Sequence, residues 1–145
     1  MNSDDHVVII EDDADDRSIL ESIFNDIIER NSYKNKVVFL NDGYQALDYL
    51  RSIMDQPFII VSDINMPKMN GFELRDVIFN DERLKNLCIP YVFLTTSDGN
   101  REDINKAFHM SVQGFFKKHD NIEEYSEMLE GMLKYWKRSL KPHFN

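Results

Sequence analysis

Four short polar groups follow apolar runs in this chain of 145 residues, and their side chains could together carry out chemistry. Each run has the length and the β-branched or aromatic content of a strand. If the runs are parallel strands of one sheet, their carboxyl ends share one edge. That edge would hold several carboxylates, a hydroxyl and an ammonium, and so much negative charge predicts a bound cation. The four groups are Glu11-Asp12-Asp13, Asp63, Thr95-Thr96 and Lys117-Lys118.

Asp63 is the candidate nucleophile, because its carboxylate could attack phosphorus and form a mixed anhydride. Phosphoryl transfer depends on positioning and on neutralising the charge of the phosphoryl oxygens. A Mg²⁺ ion would supply that charge, and it prefers carboxylate and carbonyl oxygens. The expected metal ligands are Glu11, Asp12, Asp63 and the backbone carbonyl of Asn65.

Thr95 and Lys118 are expected to contact phosphoryl oxygens, the first through its hydroxyl and the second as a point charge. Each polar group alone has an ordinary explanation, since acidic residues before a helix often cap it and an Asp after a strand often forms a turn. Their presence at equivalent ends of four strands favours a shared site.

The chain alternates between short apolar runs and longer segments of helical period, which predicts five βα units. Continuous apolar runs indicate strands buried on both faces, so we predict a doubly wound, flavodoxin-like α/β fold with a five-stranded parallel sheet. The predicted strands are 7–10, 37–40, a third that starts with 58–61 and ends at Asp63, 91–94 and 114–117. The predicted helices follow them, and cover about 15–28, 44–54, 72–80, 101–108 and 122–136.

Bulk composition narrows the function. Acidic residues number 26 against 17 basic ones, for a net charge of −9, so we expect no nucleic-acid partner. The start of the chain does not resemble a signal peptide, and we expect a cytoplasmic protein without membrane contact. Cys88, the single cysteine, lies in an apolar context and is expected to be a buried thiol.

These residues resemble a known family, the CheY-like receiver domain of two-component response regulators. Its marks are the acidic residues 11–13, the stretch 63–71 (DINMPKMNG), the stretch 93–97 (FLTTS) and the stretch 114–118 (GFFKK). The resemblance covers about residues 5–140 and implies that Asp63 accepts phosphate from a kinase phosphohistidine. It further implies that Glu11 and Asp12 bind the metal, that Thr95 is the switch hydroxyl and that Phe115 is the switch aromatic.

The sequence departs from the family pattern where His119 follows Lys118, because a proline usually stands there after a cis bond. A cis bond before a residue other than proline costs about 2.5–4 kcal/mol, so either the bond is trans or the fold supports the strain. Phe115, three residues before Lys118, favours Lys118 over Lys117 as the phosphate-contacting lysine. Asn65 and Ser97, which tune the phosphoryl lifetime in similar receivers, are neither acids nor bases that would clearly activate water.

By resemblance, we predict a single receiver domain over residues 1–145, without an output domain and not an enzyme in its own right. A sensor histidine kinase or phosphotransfer protein would be its donor, and an unidentified protein its target. The sequence looks most like single-domain receivers that pair with phytochrome-type or hybrid sensor kinases. Tyr135 and Trp136 could serve a homodimer.

Three other functions stay open at this point. A phosphatase of the haloacid dehalogenase type also uses an Asp at a strand end, but it needs a second Asp where this chain has Asn65. A flavodoxin would need a phosphate-binding loop in place of residues 11–13. The third alternative is a receiver-like interaction module that is never phosphorylated.

Overall fold

Five parallel strands form one sheet in the computed structural model, which describes residues 5–53, 56–96 and 101–140. The strand order is β2-β1-β3-β4-β5, so β1 and β3 lie at the centre beside the point where the order reverses. The predicted parallel, doubly wound sheet is confirmed. The strands are β1 (Val7–Ile10), β2 (Val37–Leu40), β3 (Ile59–Asp63), β4 (Tyr91–Thr95) and β5 (Gly114–Lys117).

Six helices occur among the described residues, one more than predicted. The additional helix is the single turn α4, which begins after Asp81, whose side chain accepts a hydrogen bond from the Leu84 amide. Five residues are too few to show a helical period, so the sequence pattern missed it. The helices are α1 (Ala14–Arg30), α2 (Gly43–Ser52), α3 (Gly71–Asn80), α4 (Glu82–Asn86), α5 (Arg101–His109) and α6 (Ile122–Arg138).

The sheet is covered on both faces, as the continuous apolar strands predict. Helices α1 and α6 pack on one face, where Phe24 and Leu129 are fully buried. Helices α2 to α5 pack on the other, around Leu50 and Phe93. These two cores fix the strands, and therefore the side chains at the carboxyl edge of the sheet.

The third strand was expected to start with residues 58–61 and to end at Asp63, and β3 does end at Asp63, which pairs with Leu94 of β4. One local prediction was wrong. Cys88 was expected to be buried, but it is exposed in the turn after α4 and has a φ of 51°. Met54, predicted near the end of the second helix, lies outside the described residues. No described helix has the length and apolar content that a bilayer-spanning segment requires.

Candidate functional site

The end of β1 places two carboxylates at the site and uses a third for local structure. Asp13 caps α1, since its Oδ1 accepts hydrogen bonds from the amides of Asp15 and Asp16, each at 2.9 Å. Glu11 is buried, with only 1% of its surface exposed, and Asp12 is partly exposed. The acidic run therefore divides into one helix cap and two residues that face the site.

Arg17, on the first turns of α1, braces this segment. Its Nη1 donates to the backbone carbonyl of Glu11 at 3.0 Å and to that of Asp12 at 3.4 Å. The carbonyls are thereby held by a charged donor, which leaves both carboxylates available for other contacts. Arg17 lies on a helix whose apolar period gives no sign of this contact.

The end of β3 places Asp63, which is 5% exposed, beside these residues. Its Oδ1 accepts a hydrogen bond from the Ile64 amide at 2.9 Å, which fixes the plane of the carboxylate. The following loop returns tightly, because the Gly71 amide donates to the Ile64 carbonyl at 2.8 Å. A Cβ at Gly71 would lie 2.5 Å from the Asp63 carbonyl oxygen, so only glycine fits this close approach.

Glu11, Asp12 and Asp63 together fit a divalent metal. One oxygen from each carboxylate lies within 4.8 Å of the other two. Carboxylate oxygens are the hard ligands that Mg²⁺ prefers, and one or two protein carboxylates with waters suffice to bind it. Asn65 is exposed in the loop after β3, and a ligand role for its carbonyl stays a prediction.

Lys118 reaches into the same cluster from the end of β5, with 9% of its side chain exposed. Its Nζ donates to Glu11 Oε1 at 3.2 Å and Oε2 at 3.1 Å, and to Asp16 Oδ2 at 3.0 Å. It lies 3.7 Å from Asp63 Oδ1. Lys117 is exposed, so of the two adjacent lysines it is Lys118 that the structure places at the carboxylates. The Lys118–His119 bond is trans.

Burial and mutual repulsion govern the charges of the site. Burial, together with the nearby Asp63, raises the pKa of Glu11 to about 8, although Lys118 opposes the shift. Burial also raises the pKa of Asp63. Burial alone would lower the pKa of Lys118, but the carboxylates of Asp63, Asp16 and Glu11 raise it instead. The cluster carries more negative charge than one ammonium neutralises, which favours a bound cation.

Thr95 and Phe115 lie on neighbouring strands at this edge. Thr95 is buried at the end of β4, and its carbonyl accepts a hydrogen bond from the Lys118 amide at 2.8 Å. Phe115 is partly buried on β5 and meets Phe93 edge to face, with ring centroids 6.2 Å apart. Ser97 lies outside the described residues.

Asp16 is the site residue that sequence reasoning missed. The sequence suggested only that an acidic residue there suits the amino end of a helix. The structure places it on Lys118, with which it forms an ion pair of 3.0 Å. No local spacing predicts this pairing, because Asp16 and Lys118 are 102 residues apart in the chain.

Comparison with known proteins identifies the family. The family model described as "Response regulator receiver domain" matches residues 7–130. This chain belongs to that family. The receiver is 30% identical to the chemotaxis protein CheY1 of Helicobacter pylori over 120 residues, which covers 83% of this chain and 93% of CheY1.

Two further similar proteins are the response regulators Rcp1 and RcpA. The receiver is 25% identical to the response regulator Rcp1 of Synechocystis, over 90% of this chain and 87% of Rcp1. The phosphorylated cyanobacterial phytochrome response regulator RcpA has a solved structure that matches with a TM-score of 0.81 and 26% identity. That match covers 95% of this chain and 98% of RcpA. Rcp1 has itself been solved in a Mn²⁺-bound form.

Family membership establishes the general function. Receiver domains are phosphoryl-accepting switches of two-component signalling, and they interact with histidine kinases, phosphotransfer proteins and downstream targets. They bind Mg²⁺ or Mn²⁺ at an acidic pocket, and the triad of Glu11, Asp12 and Asp63 is consistent with such a pocket. The phosphatase and flavodoxin alternatives are thereby set aside.

Proposed function

We propose that this receiver accepts a phosphoryl group on Asp63 from the phosphohistidine of a sensor kinase or phosphotransfer protein, with Mg²⁺ held by Glu11, Asp12 and Asp63. The observation that carries the proposal is the approach of those three carboxylates to within 4.8 Å at the carboxyl edge of the sheet. Asp63 ends β3, which lies between β1, followed by the two other carboxylates, and β4, which ends at Thr95.

In the proposed reaction a carboxylate oxygen of Asp63 attacks phosphorus in line with the phosphohistidine nitrogen. The new O–P bond makes an acyl phosphate, and the P–N bond breaks so that its electron pair returns to the imidazole, which takes up a proton. The amide of Ile64 holds the carboxylate in one orientation during this step. A bound Mg²⁺ would neutralise charge on the phosphoryl oxygens.

Lys118 and Thr95 supply the remaining contacts in the proposal. The Lys118 ammonium already lies 3.7 Å from Asp63 Oδ1, so a small movement would bring it to an oxygen of the new phosphoryl group. Thr95 ends the strand next to β3, from which its hydroxyl would donate to another phosphoryl oxygen. Both contacts favour the phosphorylated state, because they form only with the phosphoryl group present.

Phe115 is proposed to relay the change to a protein surface. It packs on Phe93 of β4, two residues before Thr95, so a displacement of Thr95 alters the space beside this ring. Such a packing change biases an equilibrium between two conformations, which a partner then detects. We propose that the partner contacts the face formed by α5, β5 and α6.

A homodimer is a further part of the proposal. Tyr135 is 66% exposed near the end of α6 and meets Trp136 edge to face at 5.1 Å. The two residues line a groove of about 510 Å³ together with Phe116 and Met132. Sedimentation velocity tests whether the receiver forms a homodimer. Equal dimerisation of wild type and Tyr135→Ala would contradict the assignment of this surface.

Intact mass measurement after incubation with acetyl phosphate and Mg²⁺ tests the central proposal. Wild type should gain one phosphoryl mass, and Asp63→Asn should gain none because the amide is a poor nucleophile. Asp48→Asn is the matched control, since Asp48 is exposed on α2 away from the site. Phosphorylation of Asp63→Asn would show that another residue is the acceptor, and an unmodified wild type would favour the interaction module that is never phosphorylated.

A further inference from the structure

The Lys118 ammonium is already paired with carboxylates in this structure, in which no phosphoryl group is present. Its ammonium donates to both oxygens of Glu11 and to Asp16. Glu11 is also an expected metal ligand, and it cannot direct the same oxygen lone pairs to Lys118 and to a metal. A divalent cation on Glu11 would occupy some of these lone pairs and repel the ammonium, and so would weaken the contact between Lys118 and Glu11.

Asp16 is not one of the carboxylates whose oxygens converge at the candidate metal site. The triad among the described residues consists of Glu11, Asp12 and Asp63, and Asp16 is not part of it. Its contact with Lys118 at 3.0 Å is accordingly independent of the metal ligands. Among the carboxylates that the structure describes around Lys118, it is the one whose contact metal binding need not disturb.

A second observation concerns Tyr125, which lines the same cavity as Lys118. The hydroxyl of Tyr125 is buried, in a residue 3% exposed, and has no hydrogen-bond partner among the described residues. Tyr125, Asp16 and Lys118 line one cavity of about 200 Å³. A buried hydroxyl without a partner is costly, and its oxygen can accept a hydrogen bond from an ammonium.

We propose that Asp16 and Tyr125 are positioning residues that hold Lys118 beside the site while Glu11 turns to the metal. In the metal-free receiver Lys118 is shared between Glu11 and Asp16. With Glu11 engaged elsewhere, Asp16 keeps the ion pair, and the Tyr125 hydroxyl oxygen accepts a hydrogen bond from the ammonium N–H that no longer points at Glu11. Lys118 thus stays charged, bonded and close to Asp63 until a phosphoryl oxygen replaces these contacts.

The inference rests on the proposed metal site and predicts a coupling that can be measured without phosphorylation. Removing Asp16 matters little to the metal-free form, because Glu11 still holds Lys118. It matters more to the metal-bound form, in which Glu11 is engaged. Asp16→Asn should therefore weaken Mg²⁺ binding about 5-fold more than a comparable loss of charge, which is the upper end of the range for a partly exposed ion pair.

Isothermal titration of Mg²⁺ into wild type, Asp16→Asn, Lys118→Met and the double variant measures this coupling. Asp15→Asn is the charge control, because Asp15 is exposed on the same turn of α1. The excess loss in Asp16→Asn should disappear when Lys118 is Met, and Asp16→Glu should restore part of the affinity. An Asp16→Asn effect that is equal with and without Lys118 would show ordinary long-range attraction and overturn the inference.

Tyr125→Phe removes only the hydroxyl and is the second test. It should weaken Mg²⁺ binding about 3-fold when Lys118 is present, as for one hydrogen bond, while the metal-free melting temperature is unchanged or raised. Mg²⁺ affinity equal to wild type would remove Tyr125 from the proposal. A wild type that binds no Mg²⁺ would instead contradict the proposed metal site, and the inference would fail with it.

Discussion

Replacing Glu11 by Gln tests the electrostatic account of the site most directly. Glu11 is buried beside Asp63, and these surroundings raise its pKa from 4.5 to about 8. The folded state therefore holds the proton of Glu11 more tightly than the unfolded chain does. The stabilisation of the folded state that comes from binding this proton is fully present below about pH 4.5 and is lost as the pH rises toward about 8.

The size of the effect follows from the shift. One pKa unit corresponds to about 1.4 kcal/mol, so the metal-free receiver could lose up to about 4 kcal/mol between pH 5 and pH 8. Relaxation and water entry around a buried charge reduce such penalties, and we expect a loss of about 2 kcal/mol. Asp63 acts in the same direction, because burial raises its pKa as well. Glu11→Gln cannot ionise and should flatten most of this slope.

Urea unfolding in EDTA at pH 5, 6, 7 and 8 measures the slope for wild type, Glu11→Gln and the control Glu21→Gln. Glu21 is exposed on α1, so its variant should follow wild type. Mg²⁺ should restore more stability to wild type at pH 8 than at pH 5, because binding at low pH must first displace a proton. Parallel pH profiles for wild type and Glu11→Gln would refute the claim that burial of this carboxylate controls the site.

Two further predictions concern the segments that position the carboxylates. Gly71→Ala should lower the free energy of unfolding by about 1–3 kcal/mol and slow phosphorylation, because its Cβ would lie 2.5 Å from the Asp63 carbonyl oxygen. Chemical denaturation measures the stability, and a time course of intact mass measures the phosphorylation rate. A phosphorylation rate equal to wild type would contradict the role given to this turn. Asp13→Ala removes the cap of α1 and should cost about 1 kcal/mol in thermal melts while Mg²⁺ affinity stays within about 2-fold of wild type. A large loss of metal binding in Asp13→Ala would instead place Asp13 among the ligands.

Alternating apolar runs and helical periods were enough to predict the five-stranded parallel sheet and the edge that carries the site. The reason is physical: a strand buried on both faces must be apolar along its whole length, so Val7–Ile10 and Tyr91–Leu94 stand out. Boundaries were less certain from sequence, since Phe58, the first residue of the predicted third strand, lies outside β3. Cys88 was misplaced because its neighbours are apolar while the turn itself faces solvent.

The sequence specifies the chemical groups of the site and their shared edge, because residue types and the positions of the strands along the chain are local patterns. Tertiary structure alone decided which groups touch. Asp13 became a helix cap rather than a ligand, and Asp16 became a partner of Lys118, 102 residues away in the chain. Contacts across such a separation depend on how α1 and β5 pack against the sheet, and no local pattern of residues encodes that distance.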